Sequence, residues 1–270
     1  MKPIIQMTEY MAGNPSLPKE FEGFRIVHIS DFHNTDMGQN NQCFVDAIKA
    51  EHPDMIAITG DFLDARNPCI DTCLTLLSQL VEIAPCYFVP GNHEARMAAL
   101  YNYMETKMQR MGVIVLRDAL TEIHRNGYAL YIAGVEDPYF EDNRQEMIAK
   151  TLHRKLEKIL MPDAYTILLV HRPEPLWLYQ RHNLSLVLAG HAHGGQIRLP
   201  VLGPIYAPNQ GLFPRYTSGL YERNRTQMVV SRGIGNGHKV PRINNKAEIP
   251  IITLHSEQHD VCVNPAEFEF

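Results

Sequence analysis

Apolar positions along this chain gather into short continuous runs, each bounded by polar or glycine-bearing segments. Residues 24–29, 55–58, 87–89, 129–133, 165–170 and 184–188 are mostly β-branched or aliphatic and show little apolar–polar alternation. Runs of that length and make-up predict strands buried on both faces. Between them the period lengthens. Residues 42–50, 71–83, 97–111 and 144–160 read as helices, and the last sets Ile148, Leu152, Leu156 and Leu160 four apart on one apolar stripe. A stripe of that kind packs on a sheet. Strand and helix alternate through the first two thirds, which predicts an α/β fold.

The last third changes character. Residues 196–221 are rich in Pro, Gly and aromatic side chains and read as a long loop. Loops of this length inside compact domains usually carry function. Two readings stay open: a lid over a substrate with an apolar or aromatic part, or a loop packed on its own domain. Residues 227–231 and 249–254 read as further strands, added as antiparallel, hairpin-like elements. The chain has no repeat, low-complexity tract or clear linker, so residues 1–270 are expected to form a single domain.

Five of the apolar runs end in metal-binding side chains. HISDFH brings Asp31 and His33, ITGD brings Asp61, and FVPGNHE brings Asn92, His93 and Glu94; LLVH and LAGHAH add His171, His191 and His193. Ligands of open α/β sheets gather beyond the carboxyl ends of the strands, where all of these fall. Asp31 and His33 are two apart, as are His191 and His193, so an extended backbone would point each pair to one side. Gly60, Gly91 and Gly190 precede the endings and permit tight turns. Each piece alone is an ordinary turn or hydrogen-bonding pair. All five together, in this order, predict a site for two metal ions.

The donor types restrict those ions. No cysteine lies among them, which argues against a structural zinc cage. Imidazole and carboxylate suit Mn, Fe, Zn, Co or Ni, with Mn the first expectation. Two Asp, one Asn and four neutral His carry about −2, so two divalent cations leave about +2, or +1 with a hydroxide. That excess would hold a phosphate and acidify bound water.

Composition trims the alternatives. A net charge of −5 argues against a stable nucleic-acid partner. No stretch has the length or apolarity of a membrane span, and the first residues lack the charged and apolar regions of a signal peptide. A cytoplasmic location is therefore expected. The five cysteines, Cys43, Cys69, Cys73, Cys86 and Cys262, are expected as free thiols. The tract GIGNGH (residues 233–238) lacks the spacing and following helix of a dinucleotide fingerprint and reads as a turn, with Arg232, His238 and Arg242 as candidate rim contacts.

The blocks DFH, GD, GNHE, the His of LLVHRPE, and GHAH resemble the calcineurin-like metallophosphoesterase superfamily. GHAHGGQIRLP, APNQGLFPRYTSGLY, VSRGIGN and PRI resemble its YkuE-like or YaeI-like bacterial phosphodiesterases. The resemblance implies two packed mixed β-sheets flanked by helices. It implies one metal held by Asp31, His33 and His193, a second by Asn92, His171 and His191, and Asp61 bridging them. His93 would protonate the leaving alkoxide and Glu94 would orient His93. Many members of the subgroup begin with a membrane helix or export signal, whereas this chain starts almost directly at the catalytic domain. The implied reaction is hydrolysis of a small-molecule or lipid-linked phosphoester by a metal-bridging hydroxide, with diesters favoured. A phosphomonoesterase or protein phosphatase stays open, as does a non-catalytic scaffold.

Overall fold

A computed structural model describes residues 5–161, 164–236 and 241–257, and the backbone of 263–268. In chain order the elements are β1 (Ile5–Gly13), β2 (Arg25–Ile29), α1 (Gln42–Ala50), β3 (Met55–Ile58), α2 (Ile70–Leu80), β4 (Cys86–Phe88), α3 (Asn92–Arg96) and α4 (Ala98–Arg110). They continue with β5 (Ile114–Val115), β6 (Ala119–Arg125), β7 (Tyr128–Gly134), α5 (Ile148–Ile159), β8 (Thr166–Leu169), α6 (Leu176–Arg181) and β9 (Leu186–Ala189). Two small hairpins follow, β10 (Arg198–Leu199) with β11 (Gly203–Pro204) and β12 (Tyr206–Ala207) with β13 (Gly211–Leu212). The chain then runs through β14 (Gly219–Arg223), β15 (Thr226–Val230), β16 (Ala247–His255) and β17 (Val263–Phe268).

Two mixed sheets form, as the resemblance implied. One has seven strands in the order β17-β1-β16-β2-β3-β4-β5, the other six in the order β14-β15-β9-β8-β7-β6. The lack of alternation in the apolar runs has a direct cause: both faces of each central strand are covered. In β2, Ile26 points between the sheets while Val27 packs outward with Phe44, Leu76 and Tyr101 on the helices. In the second sheet Ile167 and Leu188 face the inter-sheet core, and Leu168 and Val187 face Leu152 and Tyr179. Helices, sheet, sheet and helices therefore make four layers.

Strands β2 to β5 run parallel, as do β7, β8, β9 and β15. The carboxyl ends of β2, β3, β4, β8 and β9 lead into the five polar endings, so the two sheets jointly bring those endings to one place.

Three readings change. Residues 227–231 do form a hairpin with β14, but β15 also runs parallel to β9, with Val229 opposite Leu188. It is an integral sheet strand and not an appendage. Residues 249–254 belong to β16, which inserts between β1 and β2, parallel to the first and antiparallel to the second. The segment ahead of residue 24 supplies β1, whose buried Gln6 and Thr8 interrupt its apolar pattern. The sequence reading has no counterpart for α3, α6, β5, β6, β14 or β17, nor for the two hairpins inside the 196–221 loop. Elsewhere the boundaries agree within a few residues, and α1 agrees residue for residue.

Ile167 is fully buried between the sheets. Ile167→Ala should cost about 2–5 kcal/mol, the usual range for a core cavity of this size. Urea unfolding should show a lower midpoint at an unchanged slope.

Candidate metal centre

Where β2 ends, the chain enters a loop strapped to the loop after β3. Asp31 N–H donates to the Gly60 carbonyl and His33 N–H to the Asp61 carbonyl, each at 3.0 Å. The local backbone is not extended. Asp31, His33, Asp61, His191 and His193 all sit at positive φ, between +46° and +66°. The side-by-side pointing expected of an extended Asp31–His33 pair is therefore replaced by left-handed turns. Residues other than glycine pay of order 1–3 kcal/mol each for sparsely populated backbone states, which persist where surrounding contacts over-determine them. Here hydrogen bonds and close approach do so. A Cβ on Gly60 would lie 2.5 Å from Gly91 N, and one on Gly190 would run into Ser30 Oγ and Asp31 Oδ2.

These turns assemble two buried clusters. In the first, His193 Nε2 lies 3.4 Å from Asp31 Oδ1 and 3.4 Å from His33 Nε2. In the second, His171 Nε2 lies 3.2 Å from Asp61 Oδ2 and 3.1 Å from His191 Nδ1. Each cluster offers one carboxylate oxygen and two imidazole nitrogens within 4.8 Å of one another. Asp61 Oδ2 is also 4.0 Å from His33 Nε2, which places it between the clusters.

Both carboxylates are split in function. Asp31 Oδ2 accepts from Ser30 Oγ at 2.7 Å and His191 N–H at 3.0 Å, while its buried Oδ1 has no hydrogen bond. Asp61 Oδ1 accepts from His93 N–H at 2.7 Å, leaving Oδ2 to the imidazoles. Asn92 Oδ1 is likewise buried without a hydrogen bond and lines the same pocket. His171 Nδ1 meets the Thr59 carbonyl at 2.8 Å, a contact only an N–H can make. Nε2 then faces Asp61, and once that nitrogen gives up its proton its lone pair points the same way. Anchored outer atoms and lone pairs turned inward fit a pair of divalent cations.

The electrostatics agree. Burial works to lower the pKa of His171, yet the Asp61 carboxylate raises it to about 10. Burial drives Asp31 up and takes His33 down to about 3. This is a buried site with two carboxylates, where added positive charge is favourable.

His93 and Glu94 sit beside the clusters with different partners from those expected. The Ala65 N–H donates to His93 Nδ1 at 3.0 Å, and Asp64 Oδ1 is 3.5 Å from the same nitrogen. The neutral ring then carries its proton on Nε2, which is 3.9 Å from Asp61 Oδ2. Glu94 accepts instead from the N–H groups of Asp61 at 2.9 Å, Gly91 at 2.8 Å and Leu63 at 2.8 Å. It pins two loops together, while Ala65 and Asp64 meet the His93 ring.

Sequence reading missed three further residues. Asp64 needed the loop path to be seen beside His93. Arg172, fully buried next to His171, is bidentate to Asp137 at 2.7 and 3.1 Å. Glu174 lies 3.6 Å from His191 Nε2, on the side of that ring away from His171. Of the proposed rim contacts, Arg242 backs His193 Nδ1 at 3.3 Å, Arg232 pairs with Glu248 at 3.4 Å, and His238 lies outside the described residues. A pocket of about 250 Å³ over the clusters is walled instead by Arg66, Arg96, Tyr139, Pro208 and Asn209. A separate acidic group, Asp118, Glu136 and Glu141, is closed by the Lys155 ammonium at 2.7–3.2 Å. Cys43, Cys69, Cys73 and Cys86 are free thiols away from the pocket, and Cys262 lies outside the described residues.

Residues 24–195, which span all five endings, match the family model of the calcineurin-like phosphoesterases. The chain belongs to that family. It is 31% identical to the uncharacterized metallophosphoesterase YkuE of Bacillus subtilis over 94% of this chain and 86% of that one. It is 32% identical to a Bos taurus transmembrane protein with a metallophosphoesterase domain, covering 89% of this chain and 55% of the relative. The crystal structure of TT1561 from Thermus thermophilus shares the fold, at a TM-score of 0.52 and 16% identity over 78% of this chain and 90% of that one. Family and geometry together make the chain a metal-dependent phosphoesterase with a dinuclear divalent centre.

Glu94→Gln would put an amide N–H₂ among three backbone donors. Unmet buried donors cost about 1–3 kcal/mol, and loosened outer-shell contacts typically cost about 10–100-fold in metal affinity. Thermal unfolding and metal titration calorimetry of this phosphoesterase should both register the loss.

Proposed function

We propose that this metallophosphoesterase is a phosphodiesterase acting on a small-molecule or lipid-linked phosphoester. The observation that carries the reading is the coincidence, in one pocket, of two donor clusters meeting at Asp61 and the inward-facing Nε2 of His93. Asp31, His33 and His193 would hold one cation and Asn92, His171 and His191 the other, with Asp61 between the two groups available to both. Manganese is the first candidate for both. When bound, the pair supplies an acidified water as nucleophile and neutralises phosphate charge.

The chain's own residues do the rest. Asp31 and Asp61 each keep one oxygen tied to the protein, so the other stays fixed in the pocket. Ala65 and Asp64 hold the His93 ring with Nε2 toward the substrate. In the doubly protonated ring Nδ1–H would point to Asp64 Oδ1, and the Nε2 proton could then pass to the departing oxygen and leave the ring neutral. A diester has one charge at the reacting phosphate and a poor leaving group, so such proton donation matters there, by about 10²–10⁴-fold. Arg66 and Arg96 on the wall favour a second reading, a monoesterase, because they would suit a dianionic phosphate.

The deciding comparison is the rate on bis-p-nitrophenyl phosphate against p-nitrophenyl phosphate. A diesterase should favour the first, and a strong preference for the second would move the assignment to the monoesterase. Chelation should abolish hydrolysis, and added manganese should restore it. His93→Ala should keep its metal while turnover falls about 10²–10⁴-fold; full activity would remove the proton-donor role. Asp61→Asn should lower occupancy of both sites by elemental analysis.

A further inference from the structure

The segment between His193 and β14 carries the four most exposed of the large apolar side chains among the described residues. Val201 is 106% exposed, Leu212 70%, Phe213 67% and Leu202 62%, with Leu199 and Ile243 also exposed. They share one backbone ribbon. Arg198 N–H donates to the Ile243 carbonyl at 3.0 Å, Ile205 N–H to Ile197 at 2.9 Å, and Phe213 N–H to Ile205 at 2.9 Å, alongside the two hairpins. The ribbon's root is fixed to the metal centre, because Asn245 Nδ2 donates to the carbonyls of His193 at 2.6 Å and Gln196 at 3.2 Å. Its second hairpin tip, Pro208 and Asn209, forms part of the metal pocket wall.

Two features argue that this surface is built for contact. Val201 and Phe213 stand at φ +70° and +53°, strained states that turn apolar side chains into solvent. Burial would be the ordinary fate of these residues, and contiguous exposed patches mark interaction sites. The charge around them is also one-sided. Residues 196–218, the ribbon and its continuation to β14, have no Asp or Glu, and of their two arginines Arg198 turns inward to the Gly194 carbonyl at 2.9 Å and Ser218 Oγ at 3.2 Å, leaving Arg215 outward. Arg215 is exposed and lies over the Tyr216 ring. An acid-free ribbon with apolar tips and one exposed arginine matches a surface with an apolar interior and anionic headgroups.

We propose that the 196–213 ribbon, with Ile243, docks the protein on an anionic lipid surface and brings the mouth of the metal pocket to headgroup depth. Among the described residues no helix is long and apolar enough to cross a membrane, so the contact is peripheral where these residues are concerned. The docking does not depend on which phosphoester is cleaved, and its test uses no turnover on lipid.

The test is co-sedimentation with phosphatidylcholine vesicles made with and without phosphatidylglycerol. The native protein should sediment with the anionic vesicles and be released progressively by salt. The fourfold variant Val201→Ser, Leu202→Ser, Leu212→Ser, Phe213→Ser should lose about tenfold or more of that binding, given the apolar area removed. Its thermal midpoint and its rate on bis-p-nitrophenyl phosphate should stay unchanged, since these side chains touch neither the core nor the donor clusters. Arg215→Glu should weaken binding to the anionic vesicles alone. Native protein left in the supernatant with both compositions would overturn the proposal, as would equal sedimentation of the fourfold variant. A native dimer in sedimentation velocity that the fourfold variant turns into monomer would assign the patch to a second copy of this chain instead.

Discussion

The structure turns on the divided carboxylate of Asp61. One oxygen is fixed by the backbone N–H of His93, and the other is left among imidazoles from both clusters. Burying an ionised group in that state is costly unless its charge is met. The loop that carries Asp61 must therefore be held on all sides, and it is. Glu94 takes up the N–H groups of Asp61 and Leu63, and the Asp61 carbonyl accepts from His33. Each of these partners itself belongs to another polar ending, so the five endings support one another.

The two sheets make this closure available. A single parallel sheet would deliver the residues after β2, β3 and β4 along one row. The second sheet delivers His171, His191 and His193 from the opposite side, with the inter-sheet core fixing the spacing between rows. Close approach at the seam then depends on missing side chains at Gly60, Gly91 and Gly190. Arg172 and Asp137, both fully buried, tie the ends of β7 and β8 together beneath His171. A buried pair of this kind adds little net stability over an apolar substitute, but breaking it leaves a charge stranded. Its value here is in fixing the position of a histidine.

The donor residues were legible because chemistry restricts which side chains hold cations, and strand ends are visible as the ends of apolar runs. What escaped was whatever depends on where a loop goes. Asp64 is an unremarkable acid three residues after Asp61 until the loop brings it to His93. Glu94 was assigned the neighbour next to it in sequence, while its carboxylate reaches back to residues 61 and 63. The pairing of β1 with β16 joins Ile5 to Ala247, a contact that no local pattern records, and buried Gln6 and Thr8 concealed the strand itself. The left-handed backbone at Asp31 and His33 also has no sequence marker, since neither is glycine.

The same rule separates the centre from the ribbon beside it. Around the clusters, backbone strain is matched by hydrogen bonds and close packing on every side, so the left-handed turns have an evident cause within the chain. At Val201 and Phe213 the strain faces solvent, with apolar side chains extended and no packing to justify it. Three apolar clusters elsewhere in the fold bury their side chains, so these tips are not exposed for lack of a core to receive them. The proposed lipid contact would supply the missing half of those contacts from outside the chain, through a ribbon whose Pro208 and Asn209 also wall the metal pocket.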